Sequence, residues 1–270
     1  EHFNMELERK VLERTKELSS ANKKLIEIDK LKTDFLTNVS HELRTPLTSV
    51  LGFAKITRKT FEDKIMPLIE VKDDKTVKSI KRVQDNLGII VLEGERLTAL
   101  LNDVLDLAKI ESGKTEWRQE KVNIAEVFEI AVNSVKILFE QKNLYLKTDS
   151  QDGDDLFVLG DKDKLIQVVI NLLSNSVKFT QTGGVTYRIR KEDNLIISEV
   201  EDTGGGIPDD KLCYVFEKFK QIGDTLTDKP KGTGLGLPIC KEILKNHRGN
   251  IWVESKLNEG SKFIFTIPSI

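Results

Sequence analysis

Three polar stretches and one histidine carry side chains that packing alone does not require. In NLLSNSVKFT, Asn171 and Asn175 stand four apart and Lys178 three further on. That spacing puts all three on one face of a helix. Two amide oxygens and an ammonium on one face suit a hydrated Mg2+ and a polyphosphate; a solvated polar face has the same composition. In VEDTGGGIP, Asp202 ends a strand and opens a turn through Gly204, Gly205 and Gly206. A carboxylate there can accept hydrogen bonds from an amino-bearing ring, and glycines let backbone come close; an ordinary glycine turn reads alike. In KGTGLGLPICKEI, Gly232, Gly234 and Gly236 precede a helix whose first N–H groups form an anion site. Pro238 fits a first helical turn, where its missing donor is not needed. The pattern is not a Walker loop, because no Gly-Lys-Ser/Thr follows, and it lacks the GxGxxG spacing.

The histidine lies in FLTNVSHELRTPLTSV, residues 35–50. Phe35, Leu36, Val39, Leu43, Leu47 and Val50 fall at helical spacing and predict one buried stripe. His41 is off that stripe and faces water or a partner. Pro46 has no N–H, so the Glu42 carbonyl loses its helical donor and the helix is expected to bend.

The elements that must hold these residues follow from periodicity. Residues 5–34 are charged and helix-favouring, with Val11, Leu18 and Leu25 in one seven-residue series and Arg14, Ala21 and Ile28 in another. This predicts a short, imperfect coiled coil running into the His41 helix. Helix-like sequence continues to about Lys64 and breaks at MPLIEVKDD. A second helix is expected over 76–110, ended by SGK, its stripe including Ile80, Val83, Leu87, Ile90, Val91, Leu97, Leu101, Val104 and Leu105. Such a hairpin buries one side of each stripe, so two hairpins are expected to pair as a dimeric four-helix bundle. Beyond it, strands at WRQEKVN, LYLKTD, FVLGD, GVTYRIRK, NLIISEVED, GNIWVES and SKFIFTIP mix with helices over 124–141, 161–179 and 235–246. Without a regular βαβ rhythm, this is an α+β arrangement closing in an α/β sandwich.

Bulk properties narrow the function. The chain has 270 residues, 32% charged, with a formal net charge of −2. The balance argues against a nucleic-acid binder. Two cysteines, Cys213 and Cys240, are no disulfide framework and suit a reducing, cytoplasmic setting. No apolar run is long enough to span a membrane, so no membrane contact is expected of this stretch. A chain opening on Glu1 is read as a fragment of a longer protein.

The order of the motifs decides among readings. SHELRTPL, NLLSNSVKFT, DTGGGIP, FEKF (Phe216 to Phe219) and GTGLGL follow one another as the His, Asn, first Gly, Phe and second Gly boxes of two-component sensor histidine kinases. The chain resembles that family over about residues 31–268. Its leading segment, with ERTKEL and ANKKL, looks like the signalling helix that often precedes the core. The resemblance implies a signalling helix over 1–30, a dimerisation and histidine phosphotransfer domain over 31–115, and a gyrase/Hsp90-like ATP-binding domain over 116–270. It implies ATP and Mg2+ as cofactors. Its implied partners are a second copy of the chain, a response regulator receiver domain, and an upstream sensor domain in the full-length protein.

By the same resemblance, His41 is the nucleophile phosphorylated by ATP, Glu42 orients it and takes its proton, and Thr45 orients water for dephosphorylating the partner. Asn175 is the implied Mg2+ ligand, with Asn171 and Lys178 beside the phosphates. Phe179 borders the adenine, Asp202 binds its amino group, and Gly204 and Gly206 shape that pocket. Gly232, Gly234 and Gly236 hinge a polar lid over roughly 220–233, and Lys218 contributes a point charge where the family commonly has Arg. Two further departures are Gly205 in place of an aliphatic residue and Ser176 in place of Ala. Residues 60–78 look like an insertion in the hairpin, and His2 and His247 match no motif and are read as surface or turn residues. Two other readings compete. A gyrase-type ATPase needs a Glu where Asn171 stands. A non-catalytic dimeric scaffold with a degenerate nucleotide pocket draws on Gly205 and Lys218.

Overall fold

The computed structural model describes residues 10, 12, 14, 15, 18, 19, 22, 38–40, 42–69, 74–149, 156–220 and 233–270. The chain divides into two compact units, Glu1–Lys114 and Thr115–Ile270.

In the first unit, residues 42–60 form helix α1, which continues through Pro46 without interruption. A π-helical turn, Phe61–Ile65, and a 3-10 turn, Met66–Leu68, follow. Helical winding therefore outlasts the expected end near Lys64, with Pro67 placed in the 3-10 turn, where the missing N–H is not needed. Helix α2 spans Asp74–Glu111. Past it, Gly113 takes φ +67° and the Lys114 N–H reaches back to the Lys109 carbonyl at 3.0 Å, a glycine-dependent helix stop. The two helices run antiparallel: Arg44 donates to Asn102 at 2.7 Å, and Lys55 pairs with Glu95 at 2.6 Å. At Gly94 a Cβ would stand only 3.1 Å from the Leu51 side chain, so glycine permits the close approach.

The anticipated buried stripe is only partly buried within one chain. Val91, Leu101, Leu105, Leu107 and Ile110 are buried, whereas Leu43 and Val50 on α1, and Val83, Ile90 and Leu97 on α2, are exposed. Of the coiled-coil series, Arg14 and Leu18 are described and helical; Val11, Ala21, Leu25 and Ile28 lie outside the described residues, as do Phe35 and Leu36.

The second unit opens with strand β1 (Glu120–Asn123), then helix α3 (Ile124–Gln141), strand β2 (Tyr145–Thr148), strand β3 (Phe157–Gly160) and helix α4 (Lys162–Phe179). Strands β4 (Gly184–Glu192) and β5 (Leu195–Asp202), helix α5 (Gly236–Asn246), and strands β6 (Asn250–Lys256) and β7 (Gly260–Pro268) complete it. Asn123 caps α3 by accepting from the Ala125 N–H, and Asp161 caps α4 by accepting from the Lys164 N–H. The main sheet has the order β2-β4-β5-β7-β6; β2 runs parallel to β4 and the other neighbours are antiparallel. Strands β1 and β3 form a separate antiparallel pair.

Alternation along the strands sends Val185, Ile189, Ile196, Val200, Phe263 and Phe265 to the buried face. Phe128 of α3 stacks on Tyr187 at 5.0 Å and lies 6.3 Å from Phe265. Leu172, Leu173, Ile239, Ile243 and Leu244 supply the helical half of this core. The alternate positions carry charge instead: Arg188 pairs with Glu201, and Arg190 with Glu199. Two layers, one of helices and one sheet, make the sandwich anticipated from the pattern.

His247 lies in a turn, one of its two expected places, but it is not on the surface. It is buried at the C-cap of α5. Its Nε2 accepts the Asp161 N–H at 2.9 Å and its Nδ1 lies 2.8 Å from the Ile243 carbonyl. The ring joins the end of α5 to the start of α4, because both helix ends leave backbone groups that need partners.

Candidate functional site

On α1 of the first unit, Glu42 and Thr45 are exposed, and the Thr45 carbonyl accepts from the Ser49 hydroxyl at 3.2 Å. His41 lies outside the described residues.

In the second unit, α4 forms the common wall of the site. Asn171, Asn175 and Lys178 are half-buried on it. The Asn171 amide donates to the Gly236 carbonyl at 3.4 Å, joining α4 to the first turn of α5. The Lys178 ammonium lies over the ring of Phe179, 4.7 Å from its centre, and Phe179 is exposed. The last turn of α4 is held from α3: Lys142 Nζ donates to the carbonyls of Val177, Lys178 and Thr180 at 2.6, 3.2 and 3.3 Å.

Asp202 sits at the C-terminal end of β5 and is 5% exposed. Its Oδ1 accepts the N–H of Gly204 at 2.9 Å and of Ser261 at 3.3 Å; its Oδ2 accepts the Ser176 hydroxyl at 3.4 Å. Burial pushes this carboxyl above the usual carboxylate range, while the three donors work in the opposite direction.

The glycines divide by role. At Gly204 a Cβ would stand 2.8 Å from the Phe179 carbonyl oxygen, so the loop packs directly on the end of α4. Gly206 has φ +68° and a Cβ there would fall 2.0 Å from the Lys256 carbonyl. Gly234 has φ +72° and accepts the Phe219 N–H. Gly236 opens α5 with ordinary space around it. Gly232 and most of the anticipated lid lie outside the described residues, and Lys218 is exposed just before Phe219.

The fold thus gathers Asn171, Lys178, Phe179, Asp202, Gly204 and Gly236 around α4, with Asn175 on the same helix. The sequence marked Ser176 only as a departure from the family's Ala, and gave Ser261 and Lys142 no place in this neighbourhood. Ser176 had a signal, being a polar residue on the apolar side of α4. Ser261 and Lys142 had none, because their roles are backbone or long-range contacts. A buried acceptor oxygen, amides and an ammonium on one helix, and glycine backbone at a helix start can together bind an amino-bearing ring and an attached polyanion.

Among the described residues, no helix is long and apolar enough to cross a membrane. The chain matches the family model "His Kinase A (phospho-acceptor) domain" over residues 31–113 and "Histidine kinase-, DNA gyrase B-, and HSP90-like ATPase" over residues 160–270. The circadian input-output histidine kinase CikA of Synechococcus elongatus is 36% identical over 265 residues, which are 97% of this chain and 33% of that protein. The chain therefore spans about a third of the length of that curated relative. Full-length ShkA, crystallised with AMPPNP, is similar with a TM-score of 0.67 and 26% identity, over 87% of this chain and 46% of that one. Histidine kinase ThkA, crystallised with response regulator protein TrrA, gives a TM-score of 0.57 at 25% identity, over 88% of this chain and 61% of that one. A phosphoacceptor-type helical unit and an ATPase-type sandwich, met in this order and matched along nearly the whole chain by such relatives, establish that the chain belongs to the two-component sensor histidine kinases and carries their catalytic core.

Proposed function

We propose that this chain is an ATP-dependent protein-histidine kinase that phosphorylates its own His41 and passes the phosphoryl group to an aspartate of a response regulator. The observation that carries the nucleotide half is Asp202: a buried carboxylate, anchored by backbone and bonded to Ser176 of α4. Asp202 accepts the adenine amino group, with Gly204 and Gly206 shaping the pocket and Phe179 bordering the base. Asn171 and Lys178 lie along the phosphates, Gly232, Gly234 and Gly236 let the lid move, and Lys218 adds a positive charge. ShkA was crystallised with an ATP analogue, which supports ATP as the nucleotide here.

In the first step an imidazole nitrogen of His41 attacks the γ-phosphorus. The N–P bond forms, the bond from that phosphorus to the bridging oxygen breaks, and ADP leaves. Glu42 accepts the proton of the other ring nitrogen, which keeps the attacking nitrogen nucleophilic. The phosphoryl group then moves to a carboxylate oxygen of the receiver domain. ThkA was crystallised with a response regulator, which supports this class of partner. Thr45, one turn from His41, orients the water that later removes the phosphoryl group from the regulator.

The residues fit a Mg2+ ion. The Asn171 amide is engaged with Gly236, whereas the Asn175 amide makes no hydrogen bond among the described residues, which makes Asn175 the residue to hold it. A bound ion would supply neutralisation of phosphate charge.

The working form is a homodimer. Val83, Ile90 and Leu97 are exposed at seven-residue spacing on α2, and a second hairpin would cover them. Functional boundaries fall at 1–30, 31–115 and 116–270, and the core works in the cytoplasm, coupled to a sensor domain of the whole protein. Incubation with γ-labelled ATP and Mg2+ tests the reading. Acid-labile, alkali-stable label is expected on the wild type. His41→Ala should lose the label and still bind ATP, and Asn175→Ala should lose both label and Mg2+-dependent binding. Label persisting in His41→Ala would overturn the proposal.

A further inference from the structure

We infer that Asp202 meets the nucleobase through Oδ2 alone and that Ser176 is the positioning residue that aims this oxygen, so the two together select an amino-bearing base. The inference rests on the nucleotide reading above. A carboxylate oxygen has two lone-pair directions. Both on Oδ1 are used by protein backbone, the N–H groups of Gly204 and Ser261. Oδ2 has one neighbour, the Ser176 hydroxyl at 3.4 Å. That is longer than the usual O–H···O distance of about 2.8 Å, and one acceptor direction on Oδ2 is left for a ligand.

The carboxylate is therefore pinned at both ends. Backbone donors fix Oδ1, and only Ser176 fixes the direction of Oδ2. Ser176 is 1% exposed and stands on α4 next to Asn175, so its hydroxyl is withheld from water. A buried helical serine has the option of returning its hydroxyl to the preceding turn; here it bonds a side chain of β5 instead. The same O–H favours the ionised carboxylate, against the burial that opposes ionisation. Take the hydroxyl away and Oδ2 swings more freely and is a poorer acceptor. A base with an exocyclic amino group loses its partner. A base with an oxo group at that position loses nothing, since it set acceptor against acceptor from the start.

Calorimetric titration of the whole chain with ATP and with ITP, which carries an oxo group in place of the amino group, tests this. The wild type is expected to prefer ATP. Ser176→Ala is expected to weaken ATP by about three- to tenfold, the scale of one ordinary hydrogen bond, and to leave ITP unchanged, so the ATP/ITP preference falls by the same factor. An unchanged preference, or equal weakening of both nucleotides, overturns the assignment, because a purely structural serine would act on both alike. Asp202→Asn is measured beside it. If that variant keeps the wild-type preference, the adenine role of Asp202 itself fails, an outcome distinct from the failure of Ser176.

Discussion

The backbone N–H of Phe219 donates to the carbonyl of Gly234 at 3.1 Å, and both residues have positive φ, 61° and 72°. The end of the FEKF stretch is thereby clasped to the glycine segment that opens α5. A Cβ at Gly234 would stand 3.1 Å from the Phe219 Cα and 3.2 Å from the Lys220 carbonyl oxygen. A left-handed backbone costs an L residue about 1–2 kcal/mol, and the close backbone adds to it. We predict that Gly234→Ala weakens ATP binding about tenfold and slows labelling of His41. Calorimetry and a labelling time course check this; unchanged affinity would show that the clasp does not bear on the nucleotide.

Gly205 and Gly206 are neighbours with opposite expectations. A Cβ at Gly205 meets nothing within 4 Å and its φ is not left-handed, whereas one at Gly206 runs into the Lys256 carbonyl. Gly205→Ile is expected to stabilise the second unit by about 0.4–1 kcal/mol through a less flexible unfolded chain and to tighten ATP binding a few-fold. Gly206→Ala is expected to destabilise it by more than about 1 kcal/mol. Urea melts of the two variants, with ATP titrations, decide the pair; weaker ATP binding by Gly205→Ile would contradict the first.

Lys142 caps the last turn of α4 with one ammonium on three carbonyls. A cation at a helix C-terminus is favoured, and charged hydrogen bonds are stronger than neutral ones. Lys142→Met keeps the aliphatic stem and removes the cap. It should destabilise the unit by about 1–2 kcal/mol. Both tryptophans, Trp117 and Trp252, lie in this unit, so fluorescence-monitored denaturation follows it alone. A variant as stable as the wild type would show that water replaces the ammonium without loss.

Asp202 predicts a pH dependence. Its folded pKa is raised, chiefly by burial, so the folded chain binds this proton more readily than the unfolded one. Ionisation then subtracts stability as pH rises from the ordinary carboxylate range through the raised folded value, and below that range the penalty is absent. Asp202→Asn removes the charge and should bind ATP poorly. Relative to the wild type, the nucleotide-free variant should gain more stability at about pH 8 than at about pH 4. Denaturation curves at both pH values measure it; a difference that grows toward acid would reverse the sign and refute the account.

Thr45 is exposed on α1, four positions after His41 in the sequence. Thr45→Ala should leave labelling of His41 near normal and slow the loss of phosphate from a labelled regulator. Equal loss of both activities in parallel assays would count against a role in dephosphorylation.

Much of this chain is legible without coordinates, and the reason is local. Helix α3 falls at Ile124–Gln141 and α4 at Lys162–Phe179, against expected spans of 124–141 and 161–179, because apolar periodicity and the caps Asn123 and Asp161 are signals within a few residues of the ends. The order of the five motifs is likewise linear information, and it was enough to identify the family. What the sequence could not reveal are meetings of residues far apart in the chain. Ser176 reaches Asp202 across 26 positions and Ser261 reaches it across 59. Lys142 holds the end of α4 from 35 residues away, and His247 is buried against Asp161 from 86. The hairpin stripe shows the same limit from the other side: periodicity marked Val83, Ile90 and Leu97 as apolar, yet within one chain they are exposed. A repeat records that a side chain prefers to leave water, but the surface it leaves water for is set by which elements the folded chain brings against it.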